Sequence, residues 1–254
     1  MSADPDIDAS RAPLLDHLIE LRRRLLWSIL AVMLAFGGSL YFARPILTVL
    51  VAPLRTAGQL EFIQTNVYGA FVMEIKVAFF AALMISFPII ANQIWRFVAP
   101  GLYRNEKRAL LPFLLATPLL FGLGAALAYF FAIPLALKFL LGFQGDLGGV
   151  TQRALPDGAN YLSFVMQFLF GFGLAFLLPV LLMLLEAAGI LTRKQLIGAR
   201  RYAIVGNFAI AAVLTPPDVG SMLLLAIPLC LLYELALLGI WITERKRDRT
   251  AAEA

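Results

Sequence analysis

Long apolar runs alternate with short polar gaps along this 254-residue chain. Six runs read as membrane-spanning helices: residues 25–42, 71–95, 110–137, 161–185, 202–214 and 222–242. The first four meet the length of about 20 residues that a spanning helix needs. The fifth holds only 13 residues, roughly 20 Å of helix against a hydrocarbon core of about 30 Å. The sixth is longer but is interrupted by Glu234. These two read as a re-entrant pair or as two spans where the bilayer thins, and two spans are the expectation. Pro112, Pro118 and Pro134 in the third run and Pro179 in the fourth imply bent rods. The carbonyls they free need neighbours or water.

The gaps are structured. The first holds Pro45, Pro53, Gly58 and Gln59 among apolar residues, which predicts a short cap on the membrane surface rather than a disordered linker. Thr215-Pro216-Pro217-Asp218 predicts a tight turn. Proline cannot continue the preceding helix, and Asp218 can cap the next by accepting from its free amides. No internal repeat is evident, which weakens an inverted-repeat transporter. The expectation is one all-α, polytopic membrane domain over residues 1–254, with a tail at 243–254.

Composition agrees. Hydrophobic residues make up 61% and charged residues 15%, against about 45–50% and 25% in soluble domains. Mean hydropathy is +0.85. Of the Lys and Arg residues, Arg11 and Arg22 to Arg24 precede the first run, and Arg96, Arg104, Lys107 and Arg108 follow the second. Arg193, Lys194, Arg200 and Arg201 follow the fourth, and Arg245, Lys246, Arg247 and Arg249 follow the sixth. The other gaps hold only Arg44, Arg55, Lys138 and Arg153, with Lys76 inside a run. The positive-inside rule then puts both termini in the cytoplasm, consistent with an even number of spans. The net charge of +5 reads as topology and contact with anionic lipid rather than as nucleic-acid binding. No basic residue precedes Arg11 and no small-residue cleavage site follows the first run, which argues against a cleaved signal peptide. Cys230 is alone, so no intrachain disulfide forms, and it reads as a small buried hydrophobe.

Little points to chemical catalysis. His17 is the only histidine, so metal sites built on clustered His or Cys are not available. It reads as an interfacial or capping residue, with a proton switch as the alternative. No phosphate-cradling or dinucleotide-binding glycine pattern stands in suitable context. No enzymatic activity and no cofactor are expected.

Two basic segments and a few groups within the spans are the candidates for function. In His17–Arg24, Leu14, Leu18, Leu21 and Leu25 form an apolar stripe, and Glu20 can pair with Arg24 one turn on. This segment is either an amphipathic lead-in or a docking surface. In Trp95–Arg108, Pro100-Gly101 presents a turn, and Glu106 lies among Arg104, Lys107 and Arg108. The loop either balances its own charges or holds a carboxylate for a partner's guanidinium, whose planar fork fits it bidentately. Phe97 and Tyr103 could stack on that guanidinium. Within the spans, Glu234 reads as a structural tie, a partner or substrate contact, or a proton relay. Glu186 lies near the end of the fourth span, and Gln167 can hydrogen-bond another helix.

At these residues the chain resembles the TatC family, the multi-span core of the twin-arginine protein translocase. The resemblance runs from about Leu14 to Trp241. It rests on His17-Leu18-Ile19-Glu20-Leu21-Arg22, on Pro53, and on Phe97, Pro100, Leu102, Tyr103 and Glu106. Tyr161-Leu162-Ser163-Phe164 and Leu214-Thr215-Pro216-Pro217-Asp218 extend it. The resemblance implies six helices in a cupped wall, both termini cytoplasmic, in a bacterial cytoplasmic membrane. It implies no chemical activity, but recognition of twin-arginine signal peptides on folded precursors. Glu20 and Glu106 would face the signal arginines, Phe97 and Tyr103 would shape that surface, and Arg22 would organise it. Pro53 and Asp218 would support the external side. Single-span partners of the TatA and TatB type would pack on the helices, with self-association in the complex and the proton-motive force as driver. The chain departs from the family at Leu177, where many members carry an acidic or amide group just before the proline matching Pro179. A solute or proton-coupled transporter, motivated by Glu234 and the proline-bent helices, and a passive scaffold are the competing readings.

Overall fold

The structure, a computed structural model, describes residues 5–59, 61–64, 66–102, 111–147, 150–152, 155–187, 189–215 and 218–252. Ten α-helices occur among them: α1 (Pro5–Tyr41), α2 (Ala43–Thr56), α3 (Gly69–Leu102), α4 (Leu111–Leu127), α5 (Ile133–Leu141), α6 (Gly158–Ala175), α7 (Leu178–Ala187), α8 (Arg193–Gly198), α9 (Arg200–Leu214) and α10 (Val219–Ala252). A π-helical turn, Ala128–Ala132, joins α4 to α5. A small antiparallel hairpin, β1 (Gly145–Leu147) and β2 (Val150–Gln152), lies between α5 and α6.

Five helical stretches are long and apolar enough to cross a membrane: His17–Tyr41, Gly69–Phe97, Leu114–Leu141, Gly158–Glu186 and Val219–Arg245. The short fifth run forms α9, whose 15 residues fall below that length. The predicted cap is helix α2. Pro45 is accommodated in its first turn, where backbone N–H groups have no intrahelical partner in any case. Helix α10 runs on through the first residues of the predicted tail to Ala252.

Two of the prolines expected to bend the rods, Pro179 and Pro134, stand at interruptions of the regular helical bonding, while Pro118 lies inside continuous α4. Pro179 has no N–H to offer the Ala175 carbonyl, and helix α6 stops there. The Leu177 N–H turns back to Leu174 O at 3.0 Å, and α7 resumes with Leu181 N–H to Leu177 O at 3.0 Å. Pro134 likewise comes just after the π turn, in which Ile133 N–H bonds Ala128 O.

The core lies where α3, α4–α5, α6 and α10 meet. Val77, Ile133, Leu162, Val165, Phe168, Phe172, Leu225 and Leu229 are buried there. Ala128, Ala132 and Ala136 are completely buried and let neighbouring backbones come close. Closest of all is the crossing of α4 and α6. A Cβ on Gly124 would overlap the Phe172 carbonyl, and one on Gly173 would sit 2.6 Å from the Phe121 ring. Helix α1 packs chiefly along α3 and leaves Leu25, Leu26, Ile29, Met33 and Leu34 exposed. Apolar surface of that size on a helix of this length suits lipid rather than water.

Candidate functional site

The two basic motifs meet at one end of the bundle. The His17 ring on α1 stacks on Phe97 on α3, with centroids 4.2 Å apart and planes inclined by 19°. His17 is exposed and Phe97 half-buried. Glu20 and Arg24 come after it on the same helix at spacings of three and seven, which is one face. Arg24 Nε donates to Glu20 Oε1 at 3.1 Å, and its Nη2 donates to the same oxygen. The predicted one-turn pair is therefore formed. Arg22 is exposed and stands about 200° round the helix from Glu20, so it does not share that face. Tyr103 and Glu106 lie outside the described residues.

The end of α3 is pinned to α4. Trp95 Nε1–H donates to Thr117 Oγ1 at 2.8 Å, and Thr117 is buried. Beside it Phe87 and Phe121 stack at 3.7 Å. The platform that presents Phe97 is thus tied to the core.

Glu234 occupies a second cluster at the same end. Arg200 Nη2, in the first turn of α9, donates to Glu234 Oε2 at 2.8 Å. The neighbouring Tyr233 hydroxyl donates to Leu196 O at 2.7 Å, and Arg193 lies 3.8 Å from Glu244. Helix α8 opens with a capping box in which Thr192 and Gln195 each accept from the other's backbone N–H. The Arg200–Glu234 pair joins α10 to the first turn of α9.

At the opposite end, Asp218 caps α10 as expected. Its Oδ2 accepts from Ser221 N–H at 2.6 Å. Asp218 is 4% exposed and Ser221 wholly buried, and Asp218 Oδ1 and Ser221 Oγ have no hydrogen-bond partner among the described residues. Pro53 is buried in α2. Two tyrosines hold that helix down: Tyr161 donates to Leu50 O at 2.9 Å and Tyr129 to Val49 O at 2.7 Å. No local pattern singled out Tyr129. Arg44 and Glu74 add an exposed pair at 3.0 Å. Ile63 pairs with the stretch before α6, taking N–H to Pro156 O at 3.1 Å and accepting from Gly158 N–H at 3.0 Å.

Gln167 is exposed midway along α6, on the face that carries Ser163, Phe170 and Leu174. Beyond it an apolar groove of about 210 Å³ opens at the α6–α7 break, lined by Leu174, Leu177, Leu178, Leu181, Ile210 and Leu229. Leu177 thus presents hydrocarbon where the resemblance leads one to look for a polar group. Among the described residues no cluster of three or more His, Cys, Asp or Glu could hold a metal ion.

Comparison with known proteins gives a consistent result. Residues 16–228 match the family described as Sec-independent protein translocase protein (TatC). The Sec-independent protein translocase protein TatC of Magnetococcus marinus is 44% identical over 246 residues, covering 96% of this chain and 89% of that one. The TatC protein of Aquifex aeolicus is 42% identical over 240 residues, covering 93% and 98%. A crystal structure of the twin-arginine translocase receptor TatC superposes with a TM-score of 0.72 at 42% identity, covering 87% of this chain and 96% of that one.

Proposed function

The chain belongs to the TatC family, and on that premise we propose that it is the receptor subunit of a twin-arginine translocase, binding paired-arginine signal peptides at its cytoplasmic face. As a translocase component it is not an enzyme. The observation that carries the receptor reading is the stack of His17 on Phe97. It brings the Glu20 segment of α1 against the segment of α3 that leads to Tyr103 and Glu106.

The chemistry suits two guanidinium groups. Glu20 is held by Arg24 at a partly exposed one-turn pair, and such pairs are worth only about 0.3–0.5 kcal/mol. An incoming arginine that binds a carboxylate bidentately can replace so weak a tie. Glu106 supplies the second carboxylate, Phe97 and Tyr103 the stacking surface, and Arg22 a neighbouring charge toward lipid head groups.

In this reading α1, α3, α4–α5, α6–α7, α9 and α10 make six crossings of the bacterial inner membrane, with both termini cytoplasmic. The charge asymmetry supports that orientation. Helix α9 packs on α10, tied at its first turn by Arg200–Glu234, and the Asp218 cap opens α10 at the other end of the pair; we read the pair as two crossings. The 15 residues of α9 span about 22 Å, so the bilayer would thin beside it. TatA- and TatB-type single-span proteins would assemble on the body, further copies of this chain would join the complex, and the proton-motive force would drive export. Gln167, a polar amide facing outward at mid-membrane depth, fits a partner helix there. The transporter reading loses one of its two motives, since Arg200 already engages the Glu234 carboxylate.

The test is binding of a labelled twin-arginine signal peptide to the protein in membranes, against a twin-lysine peptide and against Glu20→Gln and Glu106→Gln. A desolvated carboxylate–guanidinium contact costs about 2–5 kcal/mol to break, while an exposed one costs about 0.2–1 kcal/mol. Selective binding that both variants lose supports the receptor reading. Equal binding in all combinations removes it.

A further inference from the structure

We infer that His17 is a positioning residue for signal recognition: its ring, stacked on Phe97, latches the projecting end of α1 to the end of α3 and so sets where Glu20 stands. The inference rests on the receptor reading above.

Helix α1 has one main neighbour, α3, so contacts between these two alone orient its end. The next ring contact along the pair is Phe36 against Phe79, at 6.2 Å and edge-on. Phe36 lies 19 residues beyond His17, about 28 Å along the helix. Between these two ring contacts α1 runs beside α3 without a further ring contact among the described residues, and Glu20 lies one turn from His17. The other partner is firm: Trp95, two residues before Phe97, is bonded to buried Thr117. The ring stack thus joins α1 to a part of α3 that is itself fixed to the core.

The residue type fits the place. A planar face covers half-buried Phe97, while the polar ring edge stays wet in an exposed position. What the latch needs is the flat ring rather than a charge, so another aromatic residue should serve. A branched aliphatic cannot stack in this way.

The experiment compares the full-length protein with H17F, H17L, F97L and the H17L/F97L pair in lipid nanodiscs. It reads the affinity for a twin-arginine peptide and the amide hydrogen exchange of residues 18–24. Losing an aromatic pair predicts about 3- to 10-fold weaker peptide binding in H17L, with H17F within about 2-fold of the parent. In the F97L background, H17L should add little, since the partner ring is already gone. Exchange in residues 18–24 should quicken in H17L and not in H17F. The inference is overturned if H17L binds like the parent, if H17F is as weak as H17L, or if H17L and F97L act additively. If the parent shows no preference for paired arginines, the receptor reading fails instead. The exchange rates then decide the latch: unchanged protection in H17L overturns it.

Discussion

Arg200 and Glu234 close a 2.8 Å ion pair between the first turn of α9 and the middle of α10. The pair accounts for the ionisable group that interrupts the last apolar run. Both side chains are about half exposed, at 48% and 49%, so the pair should behave as an interfacial tie. We expect a double-mutant cycle with R200Q and E234Q to give a coupling of about 0.2–1 kcal/mol in thermal unfolding. A coupling of several kcal/mol, or none, would refute this description of the site.

Asp218 should tolerate amidation better than truncation. Its cap bond to Ser221 N–H needs only an acceptor oxygen, which asparagine also supplies. The second oxygen is buried without a partner among the described residues, and burying charge without compensation is unfavourable. D218N should therefore unfold at or above the parent temperature. D218A should lose about 0.5–2 kcal/mol. A D218N protein less stable than D218A would show that the carboxylate charge itself is required.

The two tyrosines under α2 should differ in weight. Tyr161→Phe removes a buried bond to the Leu50 carbonyl, which keeps Leu54 N–H as its helical partner, a loss of about 0.5–1.5 kcal/mol. Tyr129→Phe frees the Val49 carbonyl, which Pro53 cannot serve but which solvent reaches, so a loss toward the lower end of about 0.5–1.5 kcal/mol is expected. Hydrogen exchange in Ala43–Thr56 reports both, and Y161F should be the faster. The reverse order would mean that Tyr129 is the main anchor.

Glycine at the α4–α6 crossing should be irreplaceable to different degrees. Gly124→Ala pushes a methyl group into the Phe172 carbonyl, which is backbone and cannot turn aside. Gly173→Ala meets the Phe121 ring at 2.6 Å, and a ring can shift at the expense of its stack on Phe87. Overpacking costs about 1–3 kcal/mol, and G124A belongs at or beyond the upper end. Thermal unfolding in detergent, with G173A as the comparison, checks the order.

Features set by neighbours in the chain were legible in the sequence. The Asp218 cap comes from a proline turn, the Glu20–Arg24 pair from one-turn spacing, and the α6–α7 break from Pro179. Features set by distant partners were not. Tyr161 and Leu50 are 111 residues apart, and nothing near either announces the other. Glu234 stood out as a charge in an apolar run, yet its partner sits 34 residues away in a segment that reads as topology signal. Helix α2 was visible only as a cap, because Pro45 and Pro53 count as breakers until their places in the helix are known. At the candidate site, the two motifs were each readable. Their meeting through His17 and Phe97 was not, since a lone histidine and a lone phenylalanine carry no pairing code.

The π turn at Ala128–Ala132 gives the third crossing two rotational phases. A π turn holds one residue more than the α turn it replaces, so the residues after it are advanced by about 100° around the axis. That offset lets Ile133, Ala136 and Leu137 point inward while Tyr129, within the turn, reaches α2. One residue thus sets the angular register between the two halves of the rod. Removing it would spare every side chain in α5 and still turn its apolar seam away from the core.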